Sequence, residues 1–393
     1  MRIYYTDSSC LTFDAVVTRA LTRDGRPAVV LDRTAFYPTS GGQPFDIGTL
    51  GNVNVVDVVD EGDDVIHVLS SQLEEGQRVS GVIDAVRRFD HMQQHTGQHV
   101  LSAAFDRLMQ NRTVSFHMGA EVCTIDLAAE ASPAELARVV AEANRIVWED
   151  RAVTIRFASE EEAASLPLRK EPARKGPLRL IDVGGFDLSA CGGTHVSRTG
   201  AIGMIAMLGT ERLRGGVRVT FVCGARALKA LETYRDAVTG SVRILSVLPQ
   251  ELPGAVERVH EEGRQLRKTI ARLQERLADV EAARLVQSAE HLTGVRLVTG
   301  VLEGWDAVGL KAIATAASRE ADVVVVLISD ISPRSIVVAR GASAAVDAGR
   351  MLKALTSAFG GRGGGKPDLA QGGGVQAEAE KIFAAARELI AAS

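Results

Sequence analysis

Three histidines, His91, His95 and His99, follow one another at intervals of four residues in the segment HMQQHTGQH. This interval places two side chains on one face of an α-helix, where two histidines can bind one metal ion. Three such histidines span about 12 Å of helical rise, whereas a metal–nitrogen bond measures only about 2 Å. A single ion would therefore take either His91 with His95 or His95 with His99.

A second pair of possible ligands lies in the segment CGGTH, where Cys191 and His195 are also four residues apart. Solvent-exposed histidines on a helix could give the HxxxH spacing without binding a metal. Together, however, the HxxxH and CxxxH pairs supply three nitrogens and one sulfur. This ligand set suits zinc, so we expect one Zn²⁺ per chain. Four protein ligands are typical of a structural zinc and an open position is typical of a catalytic one, so both roles remain open.

The composition indicates a globular protein of two to four domains. The chain has 393 residues, of which 46% are hydrophobic and 24% charged. Its net charge of −4 requires any RNA contact to use local basic patches. Four scattered cysteines are too few for a disulfide framework, and we find no segment resembling a signal peptide or a membrane span. We therefore expect a cytoplasmic protein without a membrane partner.

The hydrophobic periodicity predicts a multidomain α+β fold. Short Val- and Ile-rich segments in residues 1–87 predict a small β-barrel. Residues 88–224 predict a mixed α+β domain that begins with the histidine-bearing helix. Residues 225–291 predict a helical stalk, and residues 292–393 predict a last α/β domain containing the glycine-rich segment GGRGGGKPDLAQGGG.

The stalk carries a heptad seam of about three and a half repeats from Val256 to Val280, interrupted by Gly263. A single amphipathic helix packed on a core would show a wider apolar stripe. We therefore predict a coiled coil or helical hairpin, and a homodimer through the stalk.

Four segments resemble those of a known family, the alanyl-tRNA editing proteins of the AlaX type. They are FYPTSGGQPFDIG (36–48), HTGQHVLS (95–102), TVSFHMG (113–119) and CGGTHVSRTGAIG (191–203). They are also similar to the editing domain of alanyl-tRNA synthetase, and the stalk with the glycine-rich segment looks like its C-terminal domain. The resemblance covers nearly the whole chain, and the pairing of HTGQH with CGGTH is highly specific.

This resemblance implies a zinc-dependent aminoacyl-tRNA hydrolase, which would remove serine or glycine from wrongly charged tRNA(Ala) without ATP. Because nothing ahead of the predicted barrel could hold an aminoacylation domain, it implies a free-standing editing protein of the long form. An ester is already activated, so its hydrolysis needs a positioned water and a stabilised oxyanion. Zinc and the backbone N–H groups of SGGQ or CGGTH are candidates for these roles.

The resemblance also implies roles for individual residues. The implied zinc ligands are His95, His99, Cys191 and His195, and we expect His91 to hydrogen-bond or to face the pocket rim. Thr113 matches a threonine thought to recognise the serine hydroxyl. The other implied catalytic or substrate-binding positions are Gly41, Gly42, Gln43, Asp187, Gly192 and Gly193.

Basic residues flank the predicted site and are candidates for phosphate contacts. They are Arg169, Lys170, Arg174, Lys175 and Arg179 before CGGTH, Arg212, Arg214 and Arg218 after it, and Arg362 and Lys366 in the glycine-rich segment. The family often has two adjacent arginines where GGVRVTF offers Arg218 alone.

Two other functions remain open. The chain could be a metal-dependent hydrolase of another ester or phosphoester, although it has no aspartate-rich cluster for two metals. It could also be a non-catalytic RNA-binding or synthetase-associated module with a structural zinc.

Overall fold

The computed structural model describes residues 1–169, 176–292 and 294–392. The chain divides into two compact units, Met1–Gly240 and Ser241–Ser393. Each unit is an α+β structure, and the predicted multidomain α+β class is confirmed.

The first unit begins with a closed barrel of six antiparallel strands, so the predicted β-barrel is confirmed. The strands pair in the order β1-β2-β5-β4-β3-β6, and β6 closes on β1. Their bounds are β1 Thr12–Arg23, β2 Arg26–Leu31, β3 Gly48–Leu50, β4 Val53–Glu61, β5 Asp64–Leu69 and β6 Arg78–Ile83.

A long helix, α1 (Ala85–Met109), follows the barrel and is the centre of the remaining part of the first unit. The other elements are β7 Thr113–Met118, β8 Cys123–Leu127, α2 Pro133–Trp148, β9 Val153–Ala158, α3 Glu160–Ser165, β10 Leu178–Val183, β11 Leu188–Ala190, β12 Ile205–Leu213, β13 Gly216–Cys223 and α4 Gly224–Leu245. They include two sheets, with strand orders β12-β13-β8-β7 and β11-β10-β9.

The middle of helix α1 is enclosed, because every residue from His91 to Phe105 is buried. Several of its polar side chains bond to backbone groups or to other side chains: Gln94, for example, bonds both backbone groups of Cys223. Gly97 permits this packing, since a Cβ atom there would lie 2.3 Å from Cys223 Sγ. Apolar residues of the same helix, among them Val100, Leu101 and Phe105, pack in the hydrophobic core of the unit.

A fully buried ion pair joins α1 to the barrel. Arg88 Nε lies 3.2 Å from both carboxylate oxygens of Asp46, and the two side chains are 1% and 0% exposed. The same guanidinium donates to the carbonyl oxygens of Ser8 and Ala35, and Asp46 accepts from Tyr37 N. The first turn of α1 is thereby fixed to the barrel loop that contains the SGGQ segment.

The second unit contains α5 Leu252–Gln287, β14 Glu290–Leu292, β15 Val295–Leu302, α6 Ala307–Ala317, β16 Val323–Ser329, β17 Ser335–Arg340, α7 Ala348–Phe359, β18 Arg362–Gly365, β19 Leu369–Gly373 and α8 Ala379–Ala391. Its sheet has the order β14-β15-β16-β17-β19-β18, with β15 and β16 parallel. The glycine-rich segment forms the β18–β19 pair, where backbone atoms approach closely: a Cβ at Gly363 would lie 2.5 Å from Gly372 Cα.

Helix α5 presents two different apolar faces. Ala278, Ala282 and Leu285 are buried against α6 and the sheet. The seam residues Val256, Val259, Leu266, Ile270, Leu273, Leu277 and Val280 are 48–64% exposed. The helical prediction agrees with the structure, whereas the coiled coil stays a prediction.

Among the described residues, no helix combines the length and apolarity needed to cross a bilayer.

We expect Arg88→Met to destabilise the first unit by about 3–5 kcal/mol, because Asp46 would remain buried without a cationic partner. Adding Asp46→Asn should recover part of this loss, since the amide oxygen can still accept from Tyr37 N. The free energy of unfolding in urea measures both effects. Equal stability of the Arg88→Met variant and the wild type would contradict the structural role of the pair.

Candidate metal centre and its cavity

Two segments that are distant in sequence bring four possible metal ligands together. Helix α1 contributes His95 and His99, and the loop after β11 contributes Cys191 and His195. One donor atom from each lies within 4.8 Å of all the others. Cys191 Sγ is 3.4 Å from His95 Nε2 and 3.3 Å from His195 Nε2. Of the two histidine pairs that the sequence left open, this cluster includes the second.

Each of the three imidazoles is oriented through its Nδ1 atom. His95 Nδ1 lies 2.8 Å from Gln43 Oε1, and His99 Nδ1 lies 2.8 Å from Asp187 Oδ2. His195 Nδ1 lies 3.2 Å from Thr96 Oγ1. The Nε2 atoms remain available as ligands, and this is how metal-binding histidines are usually held by a second layer of partners. The residues present therefore fit a zinc ion.

Gln43 supports the centre from the barrel side and is fully buried. Its Oε1 atom also accepts from Thr194 N at 3.1 Å, and its Nε2 atom donates to Thr194 Oγ1 at 2.8 Å. The turn that delivers it has left-handed backbone at Gly41 and Gly42, and a Cβ at Gly42 would lie 2.8 Å from Phe116 O. Gly41 lines the adjacent cavity, whereas Gln43 lies behind His95.

Asp187 supports the centre from the opposite segment. It accepts from Arg169 Nε at 2.6 Å and from Ser189 Oγ at 3.0 Å, in addition to its contact with His99. Burial would raise the pKa of this carboxyl group, but the hydrogen bond and charge of His99, together with Arg169, lower it well below its usual range. Asp187 is therefore ionised at neutral pH.

The same surroundings shift the pKa values of His99, His195 and Cys191 in different directions. Burial opposes the charged form of His99, but Asp187 and Cys191 outweigh it and raise the His99 pKa to about 9. Burial lowers the pKa of His195 to about 3, so that imidazole is neutral. Burial also opposes ionisation of Cys191, yet His95 and His195 lower its pKa well below the ordinary value. A thiolate and a neutral imidazole are the forms that bind a metal, so His99 would have to lose a proton on binding, whereas His195 is already neutral.

A cavity of about 240 Å³ opens beside the four donors. Its walls include His95, His99 and Cys191, but not His195. The predicted substrate-facing residues Gly41, Thr113, Gly192 and Gly193 also line it, together with Gln98 and Arg169. A larger cavity of about 550 Å³ shares Arg169 but contacts none of the four donors. The smaller cavity is therefore the candidate reaction site.

The expectation for His91 is wrong. Its side chain is buried, does not line the donor cavity, and among the described residues its Nδ1 atom has no hydrogen-bond partner. Burial and the neighbouring Arg87 charge lower its pKa to about 4, so it is a neutral packing residue.

The basic residues predicted to contact RNA lie in different surroundings. Arg169 lies in the cavity wall, and Arg179 is 8% exposed with its guanidinium bonded to the carbonyl oxygens of Tyr5 and Cys191. Arg218 pairs with Asp126 at 2.7 Å. The exposed residues are Arg212, Arg214, Arg362 and Lys366. Lys170, Arg174 and Lys175 lie outside the described residues.

Sequence reasoning missed several residues that organise the site. Thr96 and Gln98 lie inside the HTGQH segment, and Ser102 ends the HTGQHVLS segment one helical turn later. Each of these residues lies three positions from His95 or His99 on α1, and this helical spacing could have indicated that they lie near the ligands. Arg88 and Asp46 gave no comparable signal, because their pairing joins segments 42 residues apart.

Comparisons with known protein families match three parts of this chain. Residues 9–87 match the family described as tRNA synthetases class II (A), and residues 178–219 match the threonyl and alanyl tRNA synthetase second additional domain. Residues 294–392 match the DHHA1 domain.

Among similar proteins are two archaeal alanine–tRNA ligases. The Methanoculleus marisnigri enzyme is 35% identical over 96% of this chain and 42% of its own length. The Pyrococcus abyssi enzyme is 33% identical over 94% of this chain and 41% of its own length. This chain thus spans about two fifths of the curated relatives. The solved C-Ala domain of Aquifex aeolicus alanyl-tRNA synthetase matches with 23% identity and a TM-score of 0.25, over 26% of this chain and 96% of that domain.

We expect Asp187→Asn to weaken zinc affinity about 10- to 100-fold, because the amide no longer holds His99 Nδ1 with a full negative charge. Asp106→Asn is the charge-matched control, since Asp106 lines the larger cavity without contacting a ligand. Competition for zinc with a chromogenic chelator measures both affinities. Equal affinities for the two variants would contradict the role of Asp187.

Proposed function

We propose that this chain, whose domains are related to those of alanyl-tRNA synthetases and resemble their editing and C-terminal domains, removes serine or glycine from wrongly charged tRNA(Ala). The observation that carries the proposal is the cavity beside His95, His99 and Cys191, which Thr113 also lines. It combines possible metal ligands with a hydroxyl group that can distinguish serine from alanine. We further propose that the chain acts as a separate protein in trans.

Zinc, held by His95, His99, Cys191 and His195, would supply a Lewis acid at the edge of this cavity. Gln43, Asp187 and Thr96 hold the three imidazoles in their binding orientation. Arg169 lies in the cavity wall, where its guanidinium pairs with Asp187.

The backbone N–H groups that remain for an oxyanion can be identified. Gly193 N donates to Cys191 Sγ, Thr194 N to Gln43 and His195 N to Ser8 Oγ. Among the described residues of the two loops, Gly41 and Gly192 line the cavity and have amides without an internal acceptor. We propose that these two amides, rather than those of residues 193–195, stabilise the developing negative charge.

One observation favours a second function, a non-catalytic RNA-binding module with a structural zinc. The four donors form a complete set, and His95, His99 and His195 are each less than 5% exposed. Closed four-ligand sites are typical of structural zinc. Hydrolysis of the ester distinguishes the two functions.

RNA binding is proposed for the exposed basic residues. In the first unit, Arg212 lies near the end of β12 and Arg214 on the turn that follows. In the second unit, Arg362 begins β18 and Lys366 follows it. Counterion release at phosphate contacts would make tRNA binding weaken steeply with salt, which filter binding at several salt concentrations measures.

We expect the purified protein to release labelled serine from Ser-tRNA(Ala) faster than alanine from Ala-tRNA(Ala), and a zinc chelator to abolish release. Cys191→Ala should lose zinc and activity together, because the site loses its thiolate. Metal analysis and a deacylation assay on the same samples measure both quantities.

A matched control for this experiment is Cys10→Ala, which removes a thiol outside the donor cluster. Normal turnover by Cys191→Ala would exclude the catalytic assignment. Absence of release by the wild type with one zinc per chain would favour the structural module.

We propose that the exposed seam of α5 pairs two chains. Leu266→Glu with Leu273→Glu should convert a dimer to a monomer, because each places a charge in an apolar contact. Lys268→Glu with Arg272→Glu is the control, since it introduces the same side chains outside the seam. Sedimentation over a range of concentrations measures the mass, and a wild type that stays monomeric throughout would exclude this dimer.

A further inference from the structure

Three side chains form a hydrogen-bonded relay at the wall of the donor cavity. Gln98 Nε2 lies 2.8 Å from Ser102 Oγ, and Ser102 Oγ lies 2.7 Å from Thr113 Oγ1. Gln98 and Thr113 line the cavity, whereas Ser102 does not line it and is completely buried. We call Gln98, Ser102 and Thr113 the hydroxyl relay.

Ser102 determines the direction of the relay. Within residues 1–169, 176–292 and 294–392, its hydroxyl group has two hydrogen-bond partners, the Gln98 amide nitrogen and Thr113 Oγ1. The amide nitrogen can only donate, so Ser102 accepts from Gln98. A buried hydroxyl proton requires an acceptor, and Thr113 Oγ1 is the partner that can provide it.

These contacts determine whether the Thr113 hydroxyl group donates or accepts a hydrogen bond on the cavity side. Either hydroxyl can donate across 2.7 Å, but donation from Thr113 to Ser102 would leave the buried Ser102 proton without a partner. Donation from Ser102 satisfies that proton and leaves the Thr113 proton for the cavity.

We infer that the hydroxyl relay makes Thr113 a hydrogen-bond donor to the side-chain oxygen of the bound aminoacyl ester, with Gln98 and Ser102 as positioning residues. This inference rests on the proposed function and adds the polarity of the recognition to it. A serine side chain offers the required acceptor. A glycine ester leaves space for a water molecule that can accept the same proton. The methyl group of alanine displaces that water and accepts nothing, so alanine is rejected.

The polarity can be tested with two esters of similar size on tRNA(Ala), O-methylserine and norvaline. They differ in one ether oxygen, which can accept but cannot donate. We expect the wild type to hydrolyse the O-methylserine ester at least about tenfold faster than the norvaline ester. In Gln98→Glu, the carboxylate accepts from Ser102, so Thr113 donates to Ser102 and turns its lone pairs to the cavity. The preference for the ether should then fall to about one.

A second variant tests the relay with the small natural esters. Ser102→Ala removes the group that orients Thr113, so the serine-to-alanine rate ratio should fall about tenfold while zinc content stays at the wild-type level. Thr113→Ser keeps the hydroxyl group and should retain the ratio, whereas Thr113→Val should lose it.

The outcomes separate this inference from the proposed function. Selective wild-type hydrolysis with an unchanged ratio in Ser102→Ala would overturn the relay and leave the proposed function intact. An ether preference that persists in Gln98→Glu would overturn the polarity. If the wild type releases neither serine nor glycine, the proposed function and the relay fail together. If both bulky esters react too slowly to compare, the Ser102→Ala ratio decides.

Discussion

The buried contact between Arg88 and Asp46 is the constraint on which the first unit depends. It removes two full charges from water and compensates them with each other and with three backbone groups. Such a pair is costly to bury and more costly to break, so it tolerates few alternative arrangements. Its position two turns before His95 sets both the rotation and the height of α1 against the barrel. The approach of Gln43 to His95 follows from that register.

The sequence was informative where one segment carries its own signal. The HxxxH and CxxxH spacings identify possible ligands, and glycine-punctuated Val-rich segments identify the barrel. In each case the physical cause, a helical face or a turn, lies within a few residues.

The sequence was uninformative where the partner comes from elsewhere in the chain. Gln43 reaches His95 across 52 residues, and Asp187 reaches His99 across 88. Neither contact has a periodic signature, and the roles of these two residues were suggested only by resemblance. Arg179 shows the opposite error: a basic residue in a basic segment suggests a solvated patch, but folding buries it beneath Cys191. The prediction for His91 was wrong for a similar reason: helical spacing indicates the direction of its side chain around the helix axis, but not which residues pack against it.

The three Nδ1 contacts also have a consequence for synthesis on the ribosome. Their partners come from the barrel loop at residue 43, from α1 itself at residue 96 and from the strand region at residue 187. The nascent chain therefore exposes a histidine-bearing helix long before Cys191 and His195 emerge. Until then the helix offers two of the four clustered donors, His95 and His99, and no thiolate. Capture of the proposed metal would therefore be a late event that joins three separate stretches of chain.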